Sequence, residues 1–136
     1  MMGEEYKIPD GLLYTEEHEW VRVEEDRRVT IGVTDYAQKQ LHEIVYVELP
    51  DVEADVEQMS VVGAVESVKA VSDLNCPVSG AVLEVNDELL DSPELINEDP
   101  YGEGWIAKLR PSDLDGDKVR LMDAESYRKH VAEQGH

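Results

Sequence analysis

Apolar and polar residues alternate at period two in two neighbouring stretches, Trp20-Val21-Arg22-Val23 and Val29-Thr30-Ile31-Gly32-Val33, with the polar run Glu24-Glu25-Asp26-Arg27 between them. Such alternation turns one face of a strand to a core, so the two stretches predict a hairpin. Further strands are predicted over 45–49, stopped by Pro50, then over 59–67, 70–74, 80–85 and 104–109, the last closed by Pro111. Residues 1–14 read as an extended lead-in. Helical signals are short. Thr34-Asp35 offers an N-cap for a helix over 36–41, with Gln38 at capping-box spacing from Asp35. Ser92-Pro93-Glu94 places Ser at the cap and Pro at the first helical position, which predicts a short helix ending before Pro100. Asp123 caps a predicted terminal helix in which Tyr127 and Val131 share one face. Many short strands between turn signals, with small helices at the edges, read as a β-sandwich or barrel. Gly63-Ala64-Val65-x-x-Val68 recurs as Gly80-Ala81-Val82-x-x-Val85. Two hairpins related by an approximate twofold would leave such an echo.

Composition narrows the picture. A chain of 136 residues is one domain, read here as residues 1–136 with a core over about 11–127. Hydrophobic residues make up 41% but aromatics only 6%, and Phe is absent, so Val, Leu and Ile fill the core and strands are favoured. No apolar run reaches the length of a membrane span, and the acidic start does not resemble a targeting peptide, so a cytoplasmic protein is expected. Cys76, the single cysteine, has no internal disulfide partner, and its neighbours Asn75 and Pro77 offer nothing to activate a thiolate. The formal net charge of −20 excludes nucleic acid, whose phosphates need a basic face, and points to neutral or basic partner surfaces. The acidity has two readings, a solvated shell that keeps the protein soluble or an adaptation to high salt.

The chemistry-bearing candidates are few. His18-Glu19 and His42-Glu43 lack the second histidine of the H-E-x-x-H zinc pattern. Asp113-Leu114-Asp115-Gly116-Asp117 has its glycine too early for a calcium loop and no glutamate at the twelfth position. No nucleophile elbow, P-loop or dinucleotide fingerprint is present. What stands out is Val65-Glu66-Ser67-Val68-Lys69-Ala70-Val71-Ser72-Asp73, an apolar strand-like stretch interrupted by one of only six lysines. Taken locally, Lys69 is either an ordinary turn lysine or a primary amine held out on a hairpin for covalent attachment.

Seven ordered blocks decide between these. Tyr14-Thr15-Glu16-Glu17-His18-Glu19-Trp20, Gly32-Val33-Thr34-Asp35-Tyr36-Ala37-Gln38, Val45-Tyr46-Val47-Glu48-Leu49-Pro50 and the Val65 to Ala70 segment resemble the glycine cleavage system H protein family. Pro77-Val78-Ser79-Gly80, Asn97-Glu98-Asp99-Pro100-Tyr101-Gly102-Glu103-Gly104-Trp105 and Pro111-Ser112-Asp113 continue the likeness, which runs from about Gly11 to Tyr127. The resemblance implies a hybrid barrel-sandwich of the lipoyl/biotinyl-domain type, with short edge helices and a C-terminal helix. It implies that Lys69 carries lipoic acid as a side-chain amide, with Glu66, Ser67 and Ala70 recognised by the lipoylating enzyme. Glu19 and Asp73 match acidic positions that resemble the lining of a cleft where the loaded arm shelters; Glu17 stands where many relatives have a small hydroxyl or other residue, and would add charge to that cleft or narrow it. His42 departs from the family, which often has Gly there to supply a left-handed helix end; histidine can take that geometry at some strain.

By the same resemblance the protein is a non-catalytic shuttle; its oligomeric state is open, with a monomer as the default. It would receive an aminomethyl group from a pyridoxal-phosphate glycine decarboxylase and deliver it to an aminomethyltransferase. Its dithiol would then be reoxidised by dihydrolipoamide dehydrogenase. A lipoate ligase or lipoyl/octanoyl transferase would load Lys69, and no metal is implied. The nearest alternative is a lipoyl relay donating to 2-oxoacid dehydrogenases. A biotin carrier fits less well, because Val68 and Ala70 flank the lysine where that family has Met. A Schiff-base or general-base lysine would need a desolvated pocket, whereas acidic surroundings favour the charged amine. A binding module without modification is the remaining alternative.

Overall fold

The computed structural model describes residues 5–134; residues 1–4 of the lead-in, and the last two of the 1–136 domain, lie outside the described residues. The predicted hairpin is present, with β2 (Glu19–Val23) paired antiparallel to β3 (Val29–Val33) in the register Val21↔Ile31. A two-residue strand, β1 (Leu13–Tyr14), adds to its outer edge from within the lead-in. Helix α1 (Asp35–Leu41) follows, then β4 (Ile44–Glu48), β5 (Asp55–Val56), β6 (Val61–Ser67), β7 (Val71–Asn75) and β8 (Gly80–Val85). Two single-turn helices, α2 (Glu88–Asp91) and α3 (Leu95–Glu98), lead into β9 (Ala107–Pro111). The single-turn α4 (Leu114–Asp117), a 3-10 turn (Lys118–Arg120) and α5 (Ala124–Gln134) complete the chain.

Among the described residues the strands form two antiparallel sheets, one of six strands in the order β1-β2-β3-β9-β8-β5 and one of three in the order β4-β6-β7. Val21, Ile31, Val82 and Leu109 from the first pack in one buried cluster with Ile44, Val47, Val65 and Leu74 from the second. The fold is therefore a mainly-β sandwich, as the alternation predicted. The Gly-Ala-Val echo falls once in each sheet, at Gly63 in β6 and Gly80 in β8. In each place a Cβ would run into a backbone carbonyl of the neighbouring strand, Glu48 for Gly63 and Arg110 for Gly80.

Several boundaries differ from the sequence expectation for physical reasons. Met59 takes a left-handed φ of 66°, and Ser60 N–H turns back to the Glu57 carbonyl at 3.0 Å, so β6 starts only at Val61. Gly104 and Trp105 belong to a turn closed onto Asp99 and Gly102, which delays β9 to Ala107. Ser92 ends α2 rather than starting a helix, its N–H bonded to the Glu88 carbonyl at 2.8 Å, and α3 begins at Leu95. The cap of α1 is Thr34, whose Oγ1 accepts from Ala37 N–H at 3.2 Å; Gln38 bonds the Asp35 side chain at 2.8 Å instead of making a capping box. His42 ends α1 at φ 68° and ψ −142°, a positive φ outside the left-handed helical turn that a glycine supplies at this place, so the helix end is strained and re-routed. Asn97 braces this end, donating to the His42 carbonyl at 2.7 Å and accepting from Ile44 N–H at 3.0 Å.

A second buried cluster gathers most of the aromatic residues. Tyr14, Trp20, Tyr36 and Tyr127 pack with Ala124 and Val131, so α5 closes over the β1–β2 end of the sandwich. Asp123 caps α5 by accepting from Ser126 N–H at 2.9 Å, and Tyr127 and Val131 are both buried, as the sequence predicts. The Tyr127 ring stacks on Tyr14 at 4.5 Å. A directed chain of hydrogen bonds runs through this joint. Thr34 Oγ1 lies 2.7 Å from Tyr127 Oη, which lies 2.8 Å from His18 Nδ1, while His18 Nε2 lies 2.7 Å from Gln134 Oε1. A carboxamide oxygen only accepts, so His18 Nε2 carries a proton; with the imidazole neutral, Tyr127 donates to Nδ1 and Thr34 donates to Tyr127. Protonation of His18 would reverse the bond at Nδ1, which would then donate to the Tyr127 hydroxyl. Burial holds the His18 pKa below the ordinary value.

Candidate functional site

Lys69 stands at the tip of the β6–β7 hairpin. Ser67, buried at the end of β6, accepts through Oγ from the N–H groups of Lys69 at 3.2 Å and Ala70 at 3.1 Å. Its own N–H donates to the Ala70 carbonyl at 2.8 Å, and Val68 N–H reaches across to the Glu43 carbonyl at 3.2 Å. Every backbone N–H from Ser67 to Ala70 therefore has an acceptor, which leaves a stiff turn with no spare donor. The side chains of Val68, Lys69 and Ala70 are all exposed. Among the described residues no carboxylate makes an ion pair with Lys69, although Glu66 lies half-buried on the adjoining strand. The arrangement presents a free primary amine on a fixed backbone, open to an acylating enzyme.

At the foot of the hairpin Glu19 does the opposite. It is 1% exposed, at the start of β2. One carboxylate oxygen accepts from the Thr15 hydroxyl, and the other accepts from the Asn75 N–H at 3.0 Å and the Asn75 Nδ2 at 3.3 Å. Thr15 Oγ1 in turn accepts from Glu19 N–H at 3.0 Å. Glu19 thus ties the six-stranded sheet to the last residue of β7. Burial raises its pKa to about 7 against these hydrogen bonds, which pull it down. Glu17, exposed in the same turn, adds a smaller upward push.

Asp73 lies elsewhere on the hairpin. In register with Ala64, which in turn faces Glu48, it is exposed on the outer face of the three-stranded sheet. There it lines a depression of about 460 Å³ together with Glu48, Pro50 and Val56. Glu17 and Glu19 are thus brought together at one turn, and Asp73 stands two residues along β7 from the Asn75 that holds Glu19. Thr15 and Asn75, which hold Glu19, escaped the sequence reading. Asn75 is 56 residues away in the chain and has no local signal; Thr15, four residues before Glu19, stands at turn spacing and was the discoverable partner. Cys76 is buried, its thiol donating to the Val78 carbonyl at 3.2 Å, and burial pushes its pKa up to about 11. No helix among the described residues is long and apolar enough to cross a membrane.

Comparison with known proteins gives the same picture throughout. A family model described as glycine cleavage H-protein matches residues 12–134. A probable glycine cleavage system H protein of Thermococcus gammatolerans is 57% identical over 127 residues, covering 93% of this chain and 94% of that protein. A glycine cleavage system H protein of an Anaeromyxobacter species is 53% identical over 128 residues, 94% of this chain and 98% of the relative. The crystal structure of a glycine cleavage system H protein from Mycobacterium marinum superposes with a TM-score of 0.85 at 36% identity, over 92% of this chain and 99% of the other. The chain belongs to the glycine cleavage H-protein family.

Proposed function

We propose that this chain is the lipoyl-bearing shuttle of the glycine cleavage system, with Lys69 as the attachment point. The single observation that carries the assignment is the Ser67-pinned turn, which exposes an amine without an ion-pair partner among the described residues while fixing its backbone. A lipoyl amide fits these residues, because acylation requires an accessible Nζ and removes a charge that no described carboxylate is using. When bound, the lipoyl group supplies a disulfide that can take up a one-carbon amine fragment and, as a dithiol, hand on electrons. The hairpin's part is geometric. It fixes the anchor so that a tethered group explores a bounded volume at high effective concentration.

Glu66, Ser67 and Ala70 frame the lysine for the lipoylating enzyme. Ser67 does so through backbone order, and Glu66 and Ala70 through the surface they present. Glu17 and Asp73 offer exposed carboxylates to a cationic arm terminus, whereas Glu19 contributes from behind, its oxygens already held by Thr15 and Asn75. The partners are the glycine decarboxylase, the aminomethyltransferase, dihydrolipoamide dehydrogenase and a lipoate ligase or lipoyl/octanoyl transferase. Relatives named for glycine cleavage favour this shuttle over a relay to 2-oxoacid dehydrogenases. Exchange of labelled bicarbonate into glycine by the decarboxylase tests it. The loaded protein is expected to support exchange and Lys69→Arg to abolish it; exchange that is equal with both proteins would defeat the proposal.

A further inference from the structure

The outer face of the three-stranded sheet is uneven in a way the shuttle role leaves unexplained. The register places Tyr46, Glu66 and Val71 side by side, one row below the lysine turn. A bulge between Ile44 and Tyr46 interrupts the alternation of β4, so that Val45 is exposed as well as Tyr46. Val45 is 42% exposed, Tyr46 51%, Val68 66% and Val71 64%. Four large apolar side chains are thus exposed on the strands and turn that carry the one lysine. The next row, Glu48–Ala64–Asp73, changes character and carries two exposed carboxylates, and Glu43 adds another just before β4. Lys69 is the only cation on β4, β6, β7 and the turn joining the last two.

An apolar patch of this kind with a polar rim marks an interaction surface, and reach decides who uses it. An enzyme that acts on the far end of a lipoyl arm can stand off from the hairpin. An enzyme that installs the arm cannot, because it must bring Nζ itself to an activated acyl carbon, and the lysine offers only a four-carbon stem. Its surface must therefore close over the side chains flanking the turn.

We propose that Val45, Tyr46, Val68 and Val71 form the docking surface for the acyltransferase that loads Lys69, and that this enzyme meets them with an apolar centre rimmed by lysine or arginine. The inference rests on the carrier reading of Lys69 and adds the surface by which the carrier is selected. In the step itself the neutral Lys69 amine attacks the carbonyl carbon of a lipoyl adenylate. The amide C–N bond forms, the bond from that carbon to the phosphate oxygen breaks, and AMP leaves with the electron pair; the amine gives up its proton to solvent or base. Nothing is oxidised or reduced. The rim of Glu43, Glu48 and Asp73 steers encounter with a basic partner and weakens that steering as salt rises.

Loading is measured by intact mass with lipoate ligase, lipoic acid and ATP, over a range of carrier concentrations. Val71→Asp and Tyr46→Ser are expected to lower kcat/KM for loading at least tenfold, mainly through KM. Val119→Asp, at an 85% exposed valine of the 3-10 turn, is the control and is expected to load like wild type. Both test positions are exposed, and thermal melting checks that the variants stay folded. Variants driven to complete loading by long incubation are then reduced and reoxidised by dihydrolipoamide dehydrogenase, where rates within twofold of wild type are expected. Unchanged loading of Val71→Asp and Tyr46→Ser overturns the docking surface. An equal fall in loading and reoxidation overturns its assignment to the loading enzyme. Failure of the wild type to load removes the carrier reading itself, which separates the two.

Discussion

Two turns in this molecule are built with the same local device and put it to opposite ends. In the Ser67–Ala70 turn a buried serine hydroxyl collects the N–H groups of Lys69 and Ala70, and the charged Lys69 side chain is left exposed. In the Thr15–Glu19 turn a buried threonine hydroxyl accepts from Glu19 N–H and donates to the Glu19 carboxylate, so the charge is folded inward. The first turn keeps a reactive group free by satisfying the backbone around it. The second consumes its ionisable group in cross-sheet hydrogen bonds to Asn75, fixing the far end of the strand that carries the lysine. A hydroxyl pin does not by itself decide whether a neighbouring charge is exposed; what decides it is whether a second element supplies donors.

The difference is tested first at Glu19, where the largest effect is expected. Its folded pKa of about 7 lies above the ordinary 4.5, so its stabilising contribution is complete below about 4.5 and is lost as pH rises through about 7. The loss amounts to about 3 kcal/mol between those limits. Glu19→Gln is expected to flatten that part of the pH dependence in urea titrations from pH 5 to 8. If the mutant kept the slope of the wild type, Glu19 would not be its source.

His18, in the same inward turn, has the opposite sign. Its folded pKa is depressed, so its contribution is present above about 6.5 and is lost as pH falls through the lower folded value. Protonation makes Nδ1 a donor facing the Tyr127 hydroxyl, with His130 in tilted ring contact at 5.5 Å to oppose a second charge. Protection of the α5 amides, taken relative to the intrinsic exchange rate at each pH, is expected to fall below pH 6.5 in the wild type, and Tyr127→Phe is expected to weaken that dependence. Protection independent of pH in this range would leave the hydrogen-bond chain without energetic weight.

The outward turn is the more forgiving of the two. Ser67→Ala removes an acceptor from two N–H groups that water can partly replace, so a loss of about 1 kcal/mol is expected, together with a severalfold slower loading of Lys69 as its backbone loosens. A stability change above about 3 kcal/mol would mean that the turn holds up the fold as well as the lysine. The smallest effect is expected at the tip, where Lys69→Gln shifts stability by no more than about 0.5 kcal/mol, because the side chain is exposed and unpaired among the described residues.

The outward turn was legible in the sequence and the inward one was not, for a physical reason. Ser67 and Lys69 are two residues apart, and their relation is a matter of local backbone chemistry. Glu19 is a carboxylate in a run of polar residues, and its burial depends on an asparagine brought up by sheet pairing. The same contrast runs through the fold. The β2–β3 hairpin followed from period-two alternation, and α5 from its cap and its shared face. Met59 and Trp105 are apolar residues in turns, so hydropathy extended their strands too far. The single-turn helices α2 and α4 are too short to establish a helical period. Tyr46 and Val71 look like core residues by type, and only the register and the bulge put them outside.

The central claim is that the pinned outward turn makes Lys69 the attachment point, and intact mass tests it most directly. Wild type and Lys69→Arg are incubated with lipoic acid, ATP and a lipoate ligase. The account predicts one added lipoyl mass on the wild type and none on the variant. An unmodified wild type, or a variant that gains the same mass, would contradict it.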